Sequence, residues 1–328
     1  MRKILIFFLV SAGIICTFFG CAKANNPASI TSVLEVDQIF PTTGYARDIF
    51  FSENILYAAQ DEIGFILFDR FTGNILGENN TYGTKYIVAS EPDSFIVSYG
   101  DDYFYVFDFT VLDSINQITD SSIKDDFSRH PELDYVAVSK DTFRLNFVKS
   151  NKLKRQTYAI DSGVWQAIFE ENLEFPYSSL KNFYIDDNYI YFAAGQIGFF
   201  IGNENSEIIG EVDTPGEALD VKIVDNYAFI ADRHEGFSII DISDVQNPVI
   251  VSTGDTSGYA QSIDVYDDYL VVGSGGGGVY LFDISNKENP LFLDRIDDAD
   301  IGYTYKVVFD NGDIFAATRS GVYKLKIN

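Results

Sequence analysis

A phrase that recurs along the chain constrains its fold more than any other feature. Gly216-Glu-Ala-Leu-Asp-Val-Lys-Ile-Val-Asp-Asn-Tyr227-Ala-Phe-Ile-Ala231 leads on to Gly236-Phe-Ser-Ile-Ile-Asp241-Ile-Ser-Asp-Val-Gln-Asn-Pro248. The same wording returns as Gln261–Gly273 followed by Gly278–Pro290. Asp241 and Asp283 stand 42 residues apart, as do Pro248 and Pro290. Weaker copies begin at Ala46, Tyr86, Leu133, Phe183 and Lys306, at spacings of roughly 38 to 43 apart from one longer gap around 150–175.

Each copy reads as strands. Val221–Val224 alternates apolar and polar, Asp225-Asn226 forms a tight turn, and Tyr227–Ile230 supplies a second strand. A glycine-containing loop leads to a third strand at Phe237–Ile240, and Val249–Thr253 is the fourth. Between them the Asp-Ile-Ser-Asp-x-x-Asn-Pro stretch reads as a turn, because Asp, Ser and Asn satisfy local backbone donors and proline stops pairing. Four short antiparallel strands per repeat of this length is the period of a propeller blade. The expected fold is therefore all-β, a seven-bladed β-propeller of four-stranded antiparallel blades. The last copy stops after its third strand, and the strand-like segment Ser32–Phe40 is expected to close that blade and leave no free edge at the seam. An open β-solenoid fits these complementary ends less well.

The Gly-Phe/Val-x-x-x-Asp-Ile-Ser-x-x-x-Asn-Pro phrase, following a Val-x-Val-x-Asp-Asn-Tyr strand pair, resembles the LVIVD-repeat proteins over Gly216–Pro290. That resemblance implies a β-propeller on a bacterial or archaeal cell surface. It implies little about activity.

The N-terminus reads as an address. Arg2 and Lys3 precede an almost wholly apolar run, Ile4–Phe19, followed by Gly20-Cys21, which is the three-part pattern of a signal peptide. A cysteine after a small residue here resembles a bacterial lipobox with Cys21 as the lipidated residue, although Phe18 and Phe19 are bulkier than that motif usually carries. Plain secretion and a retained anchor are the other readings; the run is at the short limit for spanning a bilayer. The expected organisation is a signal peptide over 1–20, a tether over 21–31 and the propeller over 32–328. Such a chain would be exported and lipid-anchored in the cell envelope, touching the membrane through its anchor only.

Composition then removes function classes. Cys16 and Cys21 are the only cysteines, so the folded part holds no disulfide framework, zinc–thiolate site or cysteine nucleophile. A net charge of −26 argues against a nucleic-acid partner. Aspartates cluster as Asp101-Asp102, Asp186-Asp187, Asp267-Asp268 and Asp297-Asp298 with Asp300; several of these fall where first and second strands turn, and no calcium-loop pattern accompanies them. His130 and His234 are far apart in sequence and outside any metal motif. Phe68–Gly73 resembles the Asp-x-x-Thr-Gly turn of quinoprotein-like propellers but lacks their downstream tryptophan, and is read as a turn. Gly275–Gly278 has no lysine and no helix behind it, so it is a tight turn or a close approach of backbone to a ligand, not a phosphate loop. No catalytic set, metal or cofactor is expected.

In four-stranded blades the loops between blades and the loops joining second to third strands open on one face. Here that face should carry Tyr45, Arg47, Tyr259, Tyr303, Arg233, His234 and Arg319, a gathering of interface-prone arginine and tyrosine in a very acidic chain. An apparent insertion, Gly163–Tyr177, with the only tryptophan, Trp165, either overhangs this face or fills core. The expected function is a monomeric binding or interaction scaffold for an unknown protein, peptide or glycan partner. A propeller enzyme (hydrolase, lyase or oxidoreductase) with its site at the channel mouth, or a structural envelope-assembly protein, are the alternatives.

Overall fold

The second strands of the two most alike copies are apolar almost without interruption, and burial on both faces is the reason. Residues 228–231 (Ala-Phe-Ile-Ala) are all inaccessible, and so are 270–272 (Leu-Val-Val). A computed structural model of the protein describes residues 32–52, 54–80, 83–90, 95–99, 104–108, 116–117, 134–139, 142–162 and 164–328. The expected signal peptide and tether with Cys21, and also Asp101-Asp102 and His130, lie outside the described residues.

β1 (Leu34–Phe40) comes first, and the remaining strands follow in groups. The first sheet holds β2 (Asp48–Phe51), β3 (Ile55–Ala59), β4 (Phe65–Asp69) and β5 (Ile75–Asn79). The second holds β6 (Tyr86–Ser90), β7 (Phe95–Tyr99), β8 (Phe104–Asp108) and β9 (Asn116–Gln117). The third holds β10 (Asp134–Ser139), β11 (Thr142–Lys149), β12 (Lys152–Asp161) and β13 (Val164–Glu174). The fourth holds β14 (Asn182–Ile185), β15 (Ile190–Ala193), β16 (Phe199–Gly202) and β17 (Ile208–Val212). The fifth holds β18 (Asp220–Val224), β19 (Tyr227–Ala231), β20 (Phe237–Asp241) and β21 (Val249–Gly254). The sixth holds β22 (Ser262–Tyr266), β23 (Tyr269–Gly273), β24 (Val279–Asp283) and β25 (Leu291–Ile296). After a short helix, α1 (Asp298–Ile301), the last sheet runs in the order β1, β28 (Gly321–Ile327), β27 (Asp313–Thr318), β26 (Thr304–Asp310).

Two sequence expectations are corrected. Seven uniform four-stranded blades were expected, but only six blades are complete among the described residues. The sheet of β6 to β9 ends in a two-residue outer strand that meets β8 only at Phe107 and Asp108. Asn116 and Gln117, polar residues with little strand preference, carry that stub. The apparent insertion at Gly163–Tyr177 is chiefly β13, the outer strand of the third sheet, which pairs with β12 from Asp161↔Val164 to Lys152↔Glu174. The longer gap in the repeat is thus two lengthened strands.

The seam is closed by β1, which pairs antiparallel with β28 from Leu34↔Ile327 to Phe40↔Val322. The innermost strands of neighbouring sheets lie side by side, β18 against β22, β22 against β26, and β26 against β2. Core therefore sits in layers between sheets. Phe229, Phe237 and Ile239 of one sheet pack with Leu270, Val272 and Phe282 of the next, with the Phe237 and Phe282 rings 4.8 Å apart. Small residues occupy the end of the second strand, opposite the start of the first: Ala59 faces Asp48, Ala193 faces Asn182, Ala231 faces Asp220, and Gly273 faces Ser262. This leaves room where sheets converge.

Turn chemistry accounts for the repeated acidic phrases. Asp225, Asp267 and Asn311 hold φ of 53°, 51° and 51° in the two-residue hairpins between first and second strands, which demand left-handed residues. In the Asp-Ile-Ser phrase Asp241 accepts the Ser243 N–H at 2.8 Å, Asp283 does the same for Ser285, and the intervening Ile242 and Ile284 are buried. Asp69 accepts the Phe71 and Thr72 N–H groups and the Thr72 hydroxyl, and these bonds, led by the Thr72 N–H, hold its carboxyl below the ordinary range.

Candidate functional site

Polar side chains near the start of several inner strands reach the neighbouring sheet. Asp48 accepts the Ile87 N–H of β6 at 2.9 Å, Asp220 the Ile263 N–H of β22 at 2.8 Å, and Asp264 the Phe309 N–H of β26 at 2.7 Å. Asn182 Nδ2 donates to Asp220, and Lys306 and Lys222 pair at 2.7 Å with Asp48 and Asp264. These bonds staple the sheets side to side. Burial pushes the Asp220 carboxyl upward, opposed by the Ile263 N–H and by Lys306.

The loops joining second to third strands follow one rule. Asp61, Gly195, Arg233 and Gly275 occupy equivalent places, all left-handed, with φ between 50° and 59°. Each forms an antiparallel bridge to the segment leading into the next sheet, at Thr84, Ala218, Ala260 and Thr304 respectively. Three residues on, Gly64, Gly198, Gly236 and Gly278 are again left-handed. The glycine run Gly275–Gly278 is this loop. A Cβ on Gly277 would fall 1.8 Å from the Ser257 carbonyl oxygen, whereas one on Gly276 would meet open space. Gly275, Gly277 and Gly278 are therefore required by the turn and its neighbours, and Gly276 is not.

Where these loops and inner strands meet, residues of six sheets line an open cavity of about 530 Å³. Its wall includes Arg47 and Asp48, Lys85 and Tyr86, Lys181 and Asn182, Leu219 and Asp220, Gln261 and Ser262, and Tyr305 and Lys306, together with Glu217, Arg233, Tyr259 and Tyr303. Of the residues the sequence singles out, Arg47, Arg233, Tyr259 and Tyr303 share this wall. His234 stands beside it, its ring 4.3 Å from that of Tyr259. Tyr45 and Arg319 are not part of the wall; they pair with each other, the guanidinium 4.7 Å from the ring centre.

The cations are held over rings and between carboxylates. Arg47 donates to Asp61 at 2.8 Å and lies 4.2 Å over the Tyr305 ring. Arg233 Nη1 bonds Glu217 and its guanidinium lies 5.5 Å over Tyr259; contacts of this kind are worth about 0.5–1 kcal/mol when partly exposed. Lys181 reaches the other oxygen of Glu217 at 3.3 Å. Burial alone would raise the Glu217 carboxyl, but Arg233 and Lys181 outweigh it and hold it below its ordinary value. The Tyr303 hydroxyl is pushed up by burial and by the neighbouring Tyr305 and Tyr259. Guanidinium and ammonium donors, carboxylate and amide acceptors, and tyrosine faces thus line one volume open to solvent. That combination can hold a polar ligand by its edges and its flat faces together.

Lys85, Lys181 and Lys306 were not singled out from the sequence, and neither were Glu217 and Tyr305. A signal for two of them existed: Arg47, Lys85 and Lys181 each immediately precede an inner strand, so aligning the copies on that position would have shown a basic column. Tyr305 had no such signal. It is the extra residue of a β-bulge between Thr304 and Lys306, and the bulge re-aims it.

Comparison with known proteins agrees with the repeat and the fold. The chain carries LVIVD repeats at residues 215–256 and 257–298. No curated protein matches it. Among solved structures it is similar to the computationally designed Ika8 protein, with a TM-score of 0.64 and 13% identity over 88% of this chain and 98% of that one. It is also similar to the RRP9 WD40 repeats, with a TM-score of 0.62 and 9% identity over 90% of this chain and 97% of that one. At such identity the likeness concerns the fold alone.

Proposed function

We propose that this LVIVD-repeat propeller is an exported, surface-anchored binding scaffold that takes a protein, peptide or glycan ligand in the cavity lined by Arg47, Arg233, Tyr259 and Tyr303. One observation carries the reading: four arginine and tyrosine residues distant in sequence line a single volume of about 530 Å³. That volume falls within the range of about 300–1,000 Å³ of small-ligand sites. Arginine and tyrosine are also the side chains that most often dominate binding energy. The test is a glycan and peptide array probed with full-length protein. The Arg47→Ala/Tyr259→Ala variant is expected to lose at least tenfold in signal on every partner the wild type captures. A variant that keeps all its partners would remove this cavity as the site.

Anchoring is part of the same proposal and rests on Arg2, Lys3, the apolar run to Phe19 and Cys21. In a bacterial host, Cys21→Ala should move the protein from the membrane fraction to the soluble envelope fraction, with loss of metabolic labelling by palmitate. Unchanged membrane association of the variant would defeat lipidation at Cys21.

A further inference from the structure

Two observations at the cavity point past a generic binding site, and both involve Arg233. The first is backbone conformation. Arg233 holds φ of 50° where the matching positions of three other sheets carry Gly195, Gly275 and the short polar Asp61. A left-handed non-glycine residue without a short polar side chain is disfavoured, and such outliers gather at functional sites. The fold at this position is served by glycine or a short aspartate, so the arginine is there for its side chain. The second is charge. Lys181 and Arg233 converge on one carboxylate, Glu217, which leaves a local surplus of positive charge in a chain of net charge −26. Among the described residues only Nη1 of Arg233 has a protein acceptor, and 40% of its side chain is exposed. A guanidinium carries five donors in a planar fork suited to a carboxylate.

We infer that the Lys181–Arg233 clasp receives the carboxylate of an acidic sugar, a uronic-acid unit either free or within an oligosaccharide. This rests on the cavity being the binding site and names its ligand class. The rest of the wall favours a sugar over an acidic peptide. Asp48, Glu217 and Asp220 line the same volume, each already bonded within the protein, and would repel a run of carboxylates. Gln261, whose Nε2 donates to the Thr304 carbonyl, offers its amide oxygen to sugar hydroxyls, and the partly exposed Tyr259 offers ring surface to the same ligand. One carboxylate per ring matches one clasp.

The test is calorimetric titration of detergent-solubilised full-length protein. The probes are galacturonate, mannuronate and glucuronate, as monosaccharides and as oligosaccharides, together with their carboxyl-reduced neutral counterparts and polyglutamate. Arg233→Gly is the informative variant, because glycine accepts the left-handed backbone without strain and its melting temperature should equal or exceed that of the wild type. The expected result is that at least one uronate binds, its reduced counterpart binds at least tenfold more weakly, and Arg233→Gly loses at least tenfold in affinity for the acid but not for the neutral form. The monosaccharide and oligosaccharide arms separate a free sugar from a polymer end. Equal binding of acid and reduced forms overturns the clasp; if Tyr259→Ala then abolishes that binding, the cavity stands as the site and only the ligand class fails. Binding of polyglutamate without any uronate, binding of no uronate, or an Arg233→Gly variant of undiminished affinity also overturns it.

Discussion

Asp220→Ala is expected to destabilise the domain by about 3–5 kcal/mol, measured as loss of unfolding free energy in denaturant at constant m. Asp220 is buried, and one of its oxygens accepts the Val221 N–H at 2.8 Å and the Asn182 amide at 2.5 Å. The other accepts the Ile263 N–H of the next sheet at 2.8 Å. Alanine would leave three buried donors without their acceptor, and each such group costs about 1–3 kcal/mol. A variant within 1 kcal/mol of the wild type would show that water replaces the carboxylate and that the staple contributes little. The same group has a pH signature. Its folded pKa is raised by burial above the unfolded value of about 3.9, so the native state binds the proton more readily than the unfolded chain. Its contribution to stability is therefore greatest in acid. It declines as pH rises from the unfolded value through the raised folded one.

Removal of β1, by deleting residues 33–40, should have a larger effect still and leave no soluble monomer. Leu34 and Phe40 are buried, and the Phe40 ring lies edge-on to Phe68 at 5.5 Å and 6.1 Å from Phe315, across the junction of the first and last sheets. Loss of Phe40 alone, as Phe40→Ala, is worth about 3–5 kcal/mol through lost transfer energy and the cavity left behind. The deletion also strips β28 of its partner, from Val322 to Ile327, and exposes a free edge that other chains can pair with. Light scattering and soluble yield are the measurements. A peptide of residues 33–40 added during refolding should restore part of the monomer, because the missing strand contributes pairing and two core side chains without any chain reversal. A truncated protein that stays monomeric and melts with the wild type would show that the ring holds together without this strand.

Much of the site was legible at single positions and little of it as an arrangement. Tyr259 is found because a Gly-Tyr pair recurs at the entries to several sheets, at Tyr45, Tyr259 and Tyr303, and Arg233 because it is a large cation in a loop whose counterparts carry Asp61, Gly195 and Gly275. Arg319 looks equally eligible, yet its side chain lies over Tyr45 and away from the cavity wall. The loop carrying it is one residue shorter than Arg233–Gly236, since Gly321 follows Arg319 by two residues while Gly236 follows Arg233 by three. Glu217 shows the opposite case. Nothing in its local sequence marks it, and only the approach of Lys181 and Arg233 from two sides makes it the centre of the clasp.

The sequence by itself determined the blade period, the hairpin turns, the buried second strands and the strand that closes the seam. All of these follow from local rules: two-residue alternation, turn residues with fixed dihedral needs, and the length of four short strands. Only the tertiary structure decided that the second sheet ends in a two-residue stub, that residues 164–174 are an outer strand, and which cations share a wall. Those outcomes depend on pairing between distant segments and on the angle at which each sheet meets the axis. A single bulge at Tyr305 or a loop shorter by one residue at Arg319 changes where a side chain points without changing the repeat that carries it.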